Sequence, residues 1–276
     1  MRALLPFHLH LAELLVLLGA GVAYVRVAST RRQRLLGVSG FIALLGVTMW
    51  PLGDLAASVS LTAATVQRLV IVLLAVPLLL LGMSPSTLSR LSRPRPLDAL
   101  VQVLTRPGVA IAIVTVLGTA TLVSPVVDWG ATSDLARDVV LMMVIVVGIV
   151  LWLPALAVMP GTKRLSPTAR AGYTFVSALV VTSLSFVWIF ARHSLYPGLH
   201  HQQALLGMTP LFDQQLAGFV SKLGCYLPMW AVAFTIFSRA DDQGIPMEES
   251  PLHWADVERE LLRVDRRRAK TLHSRD

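Results

Sequence analysis

The chain runs repeatedly for about 20 residues with too little charge to hold it in water, the length a helix needs to cross the hydrocarbon of a bilayer. These runs lie near residues 9–28, 35–55, 62–83, 107–127, 137–159, 168–192 and 212–238. Lipid offers no partner to an open backbone N–H or C=O, so each run must close its hydrogen bonds within a helix. The composition agrees. The 276 residues are 55% hydrophobic and 14% charged, where soluble domains are about 25% charged. The expected fold is an all-α polytopic membrane bundle of about seven spans over residues 1–240, followed by a polar tail over 241–276.

The connecting stretches predict orientation. "STRRQR" after the first run, "SRLSRPRPLDALVQVLTR" after the third and "GTKRLSPTAR" after the fifth are basic. The stretches between them, "AASVSL", "DWGATSDLA" and "HSLYPGLHHQQALLGMTPLF", hold no lysine or arginine, and Arg137 stands just beyond the second of them, at a helix start. Basic residues collect on the cytoplasmic side, so the alternation places the N-terminus outside and the C-terminus in the cytoplasm. The first run is followed by "RVASTRRQR" without a small-residue cleavage site, and reads as a retained span rather than a signal peptide. The net charge of +8 then serves orientation and not nucleic acid, and membrane lipid is the expected contact. The single cysteine, Cys225, excludes an intrachain disulfide and a cysteine-cluster metal site. In the tail, Ser250 and Pro251 form a helix start, and Trp254, Val257, Leu261 and Val264 share one face. That helix is either solvated or laid on the inner leaflet with "RRRAK" against anionic lipid.

Ionisable groups inside spans are costly and have a reason to be there. Glu13, Asp54, Arg68 and Lys222 fall at similar depth toward the outer side, with Asp213 at the mouth of the last span. They suggest a buried network in which Glu13 and Asp54 pair with Arg68 and Lys222; the alternative is that each long side chain reaches the headgroups separately. Gln215 and Lys222 are seven apart and share a helix face, as do His10 and Glu13, three apart. His8, His10, His193, His200 and His201 lie on the outer side, where imidazoles could take copper or zinc or simply mark the membrane boundary. Asp134 and Asp138 read as charges that complement a helix N-terminus. No phosphate-binding glycine loop, nucleophile elbow or paired catalytic carboxylates occur in the sequence, so no enzyme activity is expected.

"LYPGLHHQQALLGMTPLFDQQLAGFV", with Tyr196-Pro197-Gly198 and Asp213-Gln214-Gln215-Leu216-Ala217-Gly218, resembles the bacterial cytochrome c oxidase assembly factors of the CtaG type. "SLTAATVQRLVIVLLAVPLLLLG", "VLWLPAL" and "KRLSPTAR" are similar to further stretches of that family, in the same order over roughly residues 35–240. The resemblance implies a multi-span protein of the bacterial plasma membrane, linked to copper insertion, with oxidase subunits as partners. It also implies two histidines four apart at the start of the third span, where this chain has Ala64 and Arg68 around the retained Gln67. A second histidine pair is implied before the fifth span, where "SDLARDVV" has none, and a tryptophan in the last span, where Lys222 stands. Two readings of an oxidase assembly factor follow. One handles copper through His8, His10, His200 and His201, with Met208. The other is a metal-free scaffold or accessory subunit of a respiratory complex. A small-molecule transporter ranks below both, because matching broken spans in two halves are not evident.

Overall fold

The structure is a computed structural model that describes residues 10–162, 165–196, 199 and 207–242. His8, His200, His201, Pro197, Gly198 and the tail helix over 250–264 lie outside the described residues. Among those described, the chain forms helices and no strand. In order they are α1 Leu11–Val27, α2 Arg31–Thr48, α3 Leu52–Ser58, α4 Leu61–Val70, a π-helical turn Ile71–Ala75, α5 Val76–Gly82, α6 Pro85–Leu91, α7 Arg95–Leu104, α8 Pro107–Ala120, α9 Ser124–Gly130, α10 Asp134–Leu156, α11 Pro167–Val181, α12 Ser183–Phe190 and α13 Pro210–Asp242. The chain divides into a bundle, Met1–Ile236, and a second unit, Phe237–Asp276, of which residues 237–242 are described and helical.

Short-range chemistry sets the helix starts. Thr30 and Gln33 form a reciprocal capping box at α2. Ser60, Ser84, Ser133 and Ser166 each accept the backbone N–H three residues on, at the starts of α4, α6, α10 and α11. Proline occupies the first turn of α6, α7, α8, α9 and α11, where its missing N–H costs nothing.

Among the described residues, four helical stretches are long and apolar enough to cross a membrane: Leu61–Gly82, Asp134–Leu156, Pro167–Phe190 and Pro210–Arg239. Two bent pairs bring the number to six: α2 with α3, bent by 52°, and α7 with α8, bent by 90°. This is fewer than the seven expected. The difference is α1, whose 17 residues are at the short end of what spanning takes.

The π-helical turn organises the bundle centre. Pro77 has no N–H to give, so α-helical hydrogen bonding cannot run through it. The chain shifts register: the Val76 N–H reaches back to Ile71 O. The next carbonyl, Val72 O, would then look to Pro77 and find no donor. Trp152 of α10 supplies one, its Nε1 donating to Val72 O at 2.6 Å. Ile71, Val72, Ala75 and Val76 pack there with Ala110 and Val114 of α8 and Val144, Val147 and Leu151 of α10, all buried. At the side of the bundle, a Cβ on Gly218 would lie 2.7 Å from Ile189 Cγ1 and 3.0 Å from Ser185 O, so glycine lets α13 approach α12.

Trp152→Phe keeps the ring and removes the donor. An orphaned buried carbonyl costs about 1–3 kcal/mol, so the purified variant should unfold several degrees earlier on heating in detergent. An unchanged transition would mean that Val72 O finds another donor.

Candidate functional site

The polar side chains gather at the end of the bundle where α4 begins. There the helix exposes its first N–H groups, and the sequence satisfies each of them. Asp213 of α13, fully buried, accepts from Leu61 N at 2.7 Å, Thr62 N at 3.3 Å and Ser60 Oγ at 2.7 Å. Ser60 Oγ in turn accepts from Ala63 N, and Ser60 O from Ala64 N. The positive end of the α4 dipole and these donors make the site a natural place for a carboxylate. Thr62 Oγ1 returns a hydrogen bond to Asp213 O at 2.9 Å.

The two neighbouring glutamines extend the clamp. Gln214 Oε1 accepts from Leu195 N at 2.7 Å, and Gln215 Nε2 donates to Ala191 O at 3.2 Å. Tyr196, also buried, donates its hydroxyl to Leu122 O beyond α8 and packs edge-to-face on Trp188, with ring centroids 5.9 Å apart. Burial pushes the Tyr196 phenol up to about 12, so it remains a donor at neutral pH. The "LYPG" and "DQQ" stretches thus bind each other and the start of α4.

Beside this clamp lies an ionic cluster drawn from α1, α3 and α10. Arg137 Nη2 donates to Glu13 Oε1 at 3.0 Å. His10 Nε2 is 2.7 Å from Asp54 Oδ1, and His10 Nδ1 is 3.0 Å from Arg137 Nη2. Arg137 Nη1 also lies 3.2 Å from His10 Nε2, so the guanidinium meets both ring nitrogens. Asp134 and Asp138 stand 3.6 and 3.8 Å from Arg137. Asp134 is largely exposed, so its pair contributes little.

The expected pairing of Glu13 and Asp54 with Arg68 and Lys222 is replaced. Their described partners are Arg137 and His10. The sequence does carry a signal for Arg137. A cation in the first turn of a helix opposes the dipole, and needs carboxylates to hold it there.

Arg68 goes elsewhere. It donates through Nη1 to Thr121 Oγ1 and through Nη2 to Gly118 O at 2.8 Å. Gly118 O is among the last carbonyls of α8, so Arg68 caps the negative end of that helix. Lys222 lies on the other side of α13. Its Nζ sits 3.2 Å from the Phe186 ring centroid and 4.7 Å from that of Tyr226, a cation–π contact in place of an ion pair.

A cavity of about 80 Å³ lies between α3, α4, α9 and α10, lined by Ala64, Gln67, Arg68, Thr121 and Arg137 among others. It holds Ala64 and Arg68, the positions of the first histidine pair that the resemblance implies. Copper requires imidazole or sulfur lone pairs, and Ala64 and Arg68 offer none. The two nitrogens of His10 are engaged by Arg137 and Asp54. Among the described residues no group of three or more His, Cys, Asp or Glu side chains could hold a metal. His193 is exposed and Met208 half-buried. The described residues therefore do not fit a copper site.

Arg137→Leu should destabilise the protein by about 1–3 kcal/mol, because it leaves the half-buried Glu13 carboxylate without its cation. Adding Glu13→Gln should recover part of that loss in a double-substitution cycle. An Arg137→Leu variant with wild-type thermal stability would show that the cluster carries no packing energy.

No curated protein and no solved structure gives a match to this chain. The family described as cytochrome c oxidase caa3 assembly factor matches residues 9–241, most of the chain. The chain belongs to the cytochrome c oxidase caa3 assembly factor family.

Proposed function

We propose that this chain serves the assembly of a cytochrome c oxidase as a membrane scaffold, engaging oxidase subunits through its bundle without carrying copper itself. The observation that supports this most is the fate of Arg68. It stands at a position where the resemblance implies a histidine, and its guanidinium is committed to the carbonyl end of α8. A cation fixed in the wall of the cavity repels a copper ion in a low-dielectric setting. Asp213 and Glu13 are likewise engaged internally, in the α4 clamp and with Arg137. No residue is assigned a catalytic role.

The proposed placement is a bacterial plasma membrane, with seven spans counting α1, the N-terminus outside and the tail in the cytoplasm. The alternation of basic and non-basic loops supports it. The His10–Arg137 end then faces outward.

The test is complementation in a strain that makes the oxidase and lacks this chain, with oxidase read by its haem absorbance and the variant's own level checked in membranes. His8, His200 and His201 changed together to Ala should restore oxidase like the wild type, in scarce and ample copper alike. Asp213→Ala should fail, since it unties α13 from α4. Failure of the histidine variant in scarce copper, with rescue by added copper, would overturn the scaffold reading in favour of copper delivery.

A further inference from the structure

The connection between α6 and α8 holds a helix that the apolar-run count passes over. In α7, Arg95–Leu104, no residue is buried, and the helix meets α8 at 90°. A right-angle break means that if α8 runs along the bilayer normal, α7 runs in the bilayer plane. Its sequence divides cleanly at 3.6 residues per turn. Leu97, Leu100, Val101, Val103 and Leu104 occupy one face, and Asp98 and Gln102 the other. Leu104 packs on the bundle core and fixes one end of the helix. Leu97, Leu100 and Val103 are 46%, 50% and 41% exposed. Water would penalise that face, and hydrocarbon would not.

The charges around it are of one sign. Arg90, Arg93, Arg95 and Arg106 are all exposed, and none forms a salt bridge among the described residues. The acidic residue on α7, Asp98, accepts from Gln102 Nε2 at 2.9 Å. Four guanidiniums without an acidic partner flank an apolar stripe whose outer side, Leu97, Leu100 and Val103, stays exposed. Guanidinium matches phosphate geometry through paired donors.

We propose that α7 is an in-plane anchor that binds anionic phospholipid. Leu97, Leu100 and Val103 enter the hydrocarbon, and Arg90, Arg93, Arg95 and Arg106 grip headgroup phosphates at the interface. The inference depends on α8, 14 residues long, running along the bilayer normal, whether it crosses or re-enters, and is independent of copper and of the oxidase.

The test uses the full chain with Cys225→Ala, reconstituted in nanodiscs of phosphatidylcholine with phosphatidylglycerol. Spin labels placed one at a time at Leu97→Cys, Asp98→Cys, Leu100→Cys, Gln102→Cys and Val103→Cys report depth, by relaxation with oxygen against a water-soluble nickel complex. Positions 97, 100 and 103 should favour oxygen, and 98 and 102 should favour nickel. Nickel reaching all five positions equally would overturn the in-plane placement. Changing Arg93 or Arg95 to Gln should lower the preference for phosphatidylglycerol over phosphatidylcholine by about fivefold for each arginine, read by native mass spectrometry of retained lipid. An unchanged lipid preference, with the depth pattern intact, would overturn the headgroup part and leave apolar insertion alone.

Discussion

The arrangement of this bundle depends on one buried carboxylate. Asp213 takes the first backbone donors of α4 and the hydroxyl of Ser60, from a helix about 150 residues away in sequence. Without it, a helix N-terminus and its dipole would sit in the bundle unsatisfied, at about 1–3 kcal/mol for each orphaned group. With it, α13 is tied to the start of α4, Gln214 ties the preceding loop to α13, and Tyr196 carries that loop across to the end of α8. Arg68, two turns into α4, caps that same end of α8. Helix termini of opposite polarity are thus satisfied by a carboxylate and a guanidinium at one end of the molecule.

The sequence announces the helices, because an apolar run in lipid has no other way to close its hydrogen bonds. It does not announce how those helices break. Pro77 is visible in the text, but the register shift before it and the Trp152 donor that answers it are tertiary facts. The α7–α8 region reads as one basic loop followed by one span, and the right angle between the two helices appears only in three dimensions. α1 is shorter than the run that suggested it.

The charges show the same division. Glu13, Asp54, Arg68 and Lys222 are conspicuous as ionisable groups in apolar surroundings, and opposite signs invite pairing. The partners of the two cations are of other kinds. Arg68 uses neutral carbonyls whose charge is the collective dipole of α8, and Lys222 uses aromatic faces. A sequence lists charged side chains but not helix ends, so such partners cannot be counted in advance. Arg137 was legible only as a helix-start residue, until α1 and α3 brought Glu13, His10 and Asp54 to it.

Membership of the family and the loss of its implied ligands pull in different directions, and the geometry suggests how both hold. A bundle can keep its clamp, its glycine contact between α12 and α13 and its surface while a cation stands where the resemblance implies a histidine. The measurement that tests this most directly is the copper content of the detergent-purified full chain after loading with Cu(I), beside a variant with His8, His200 and His201 changed to Ala. The account predicts no copper in the wild type above the level of the variant. About one tightly held copper per chain, lost in the variant, would contradict it and place the ligands in the outer loop and N-terminus.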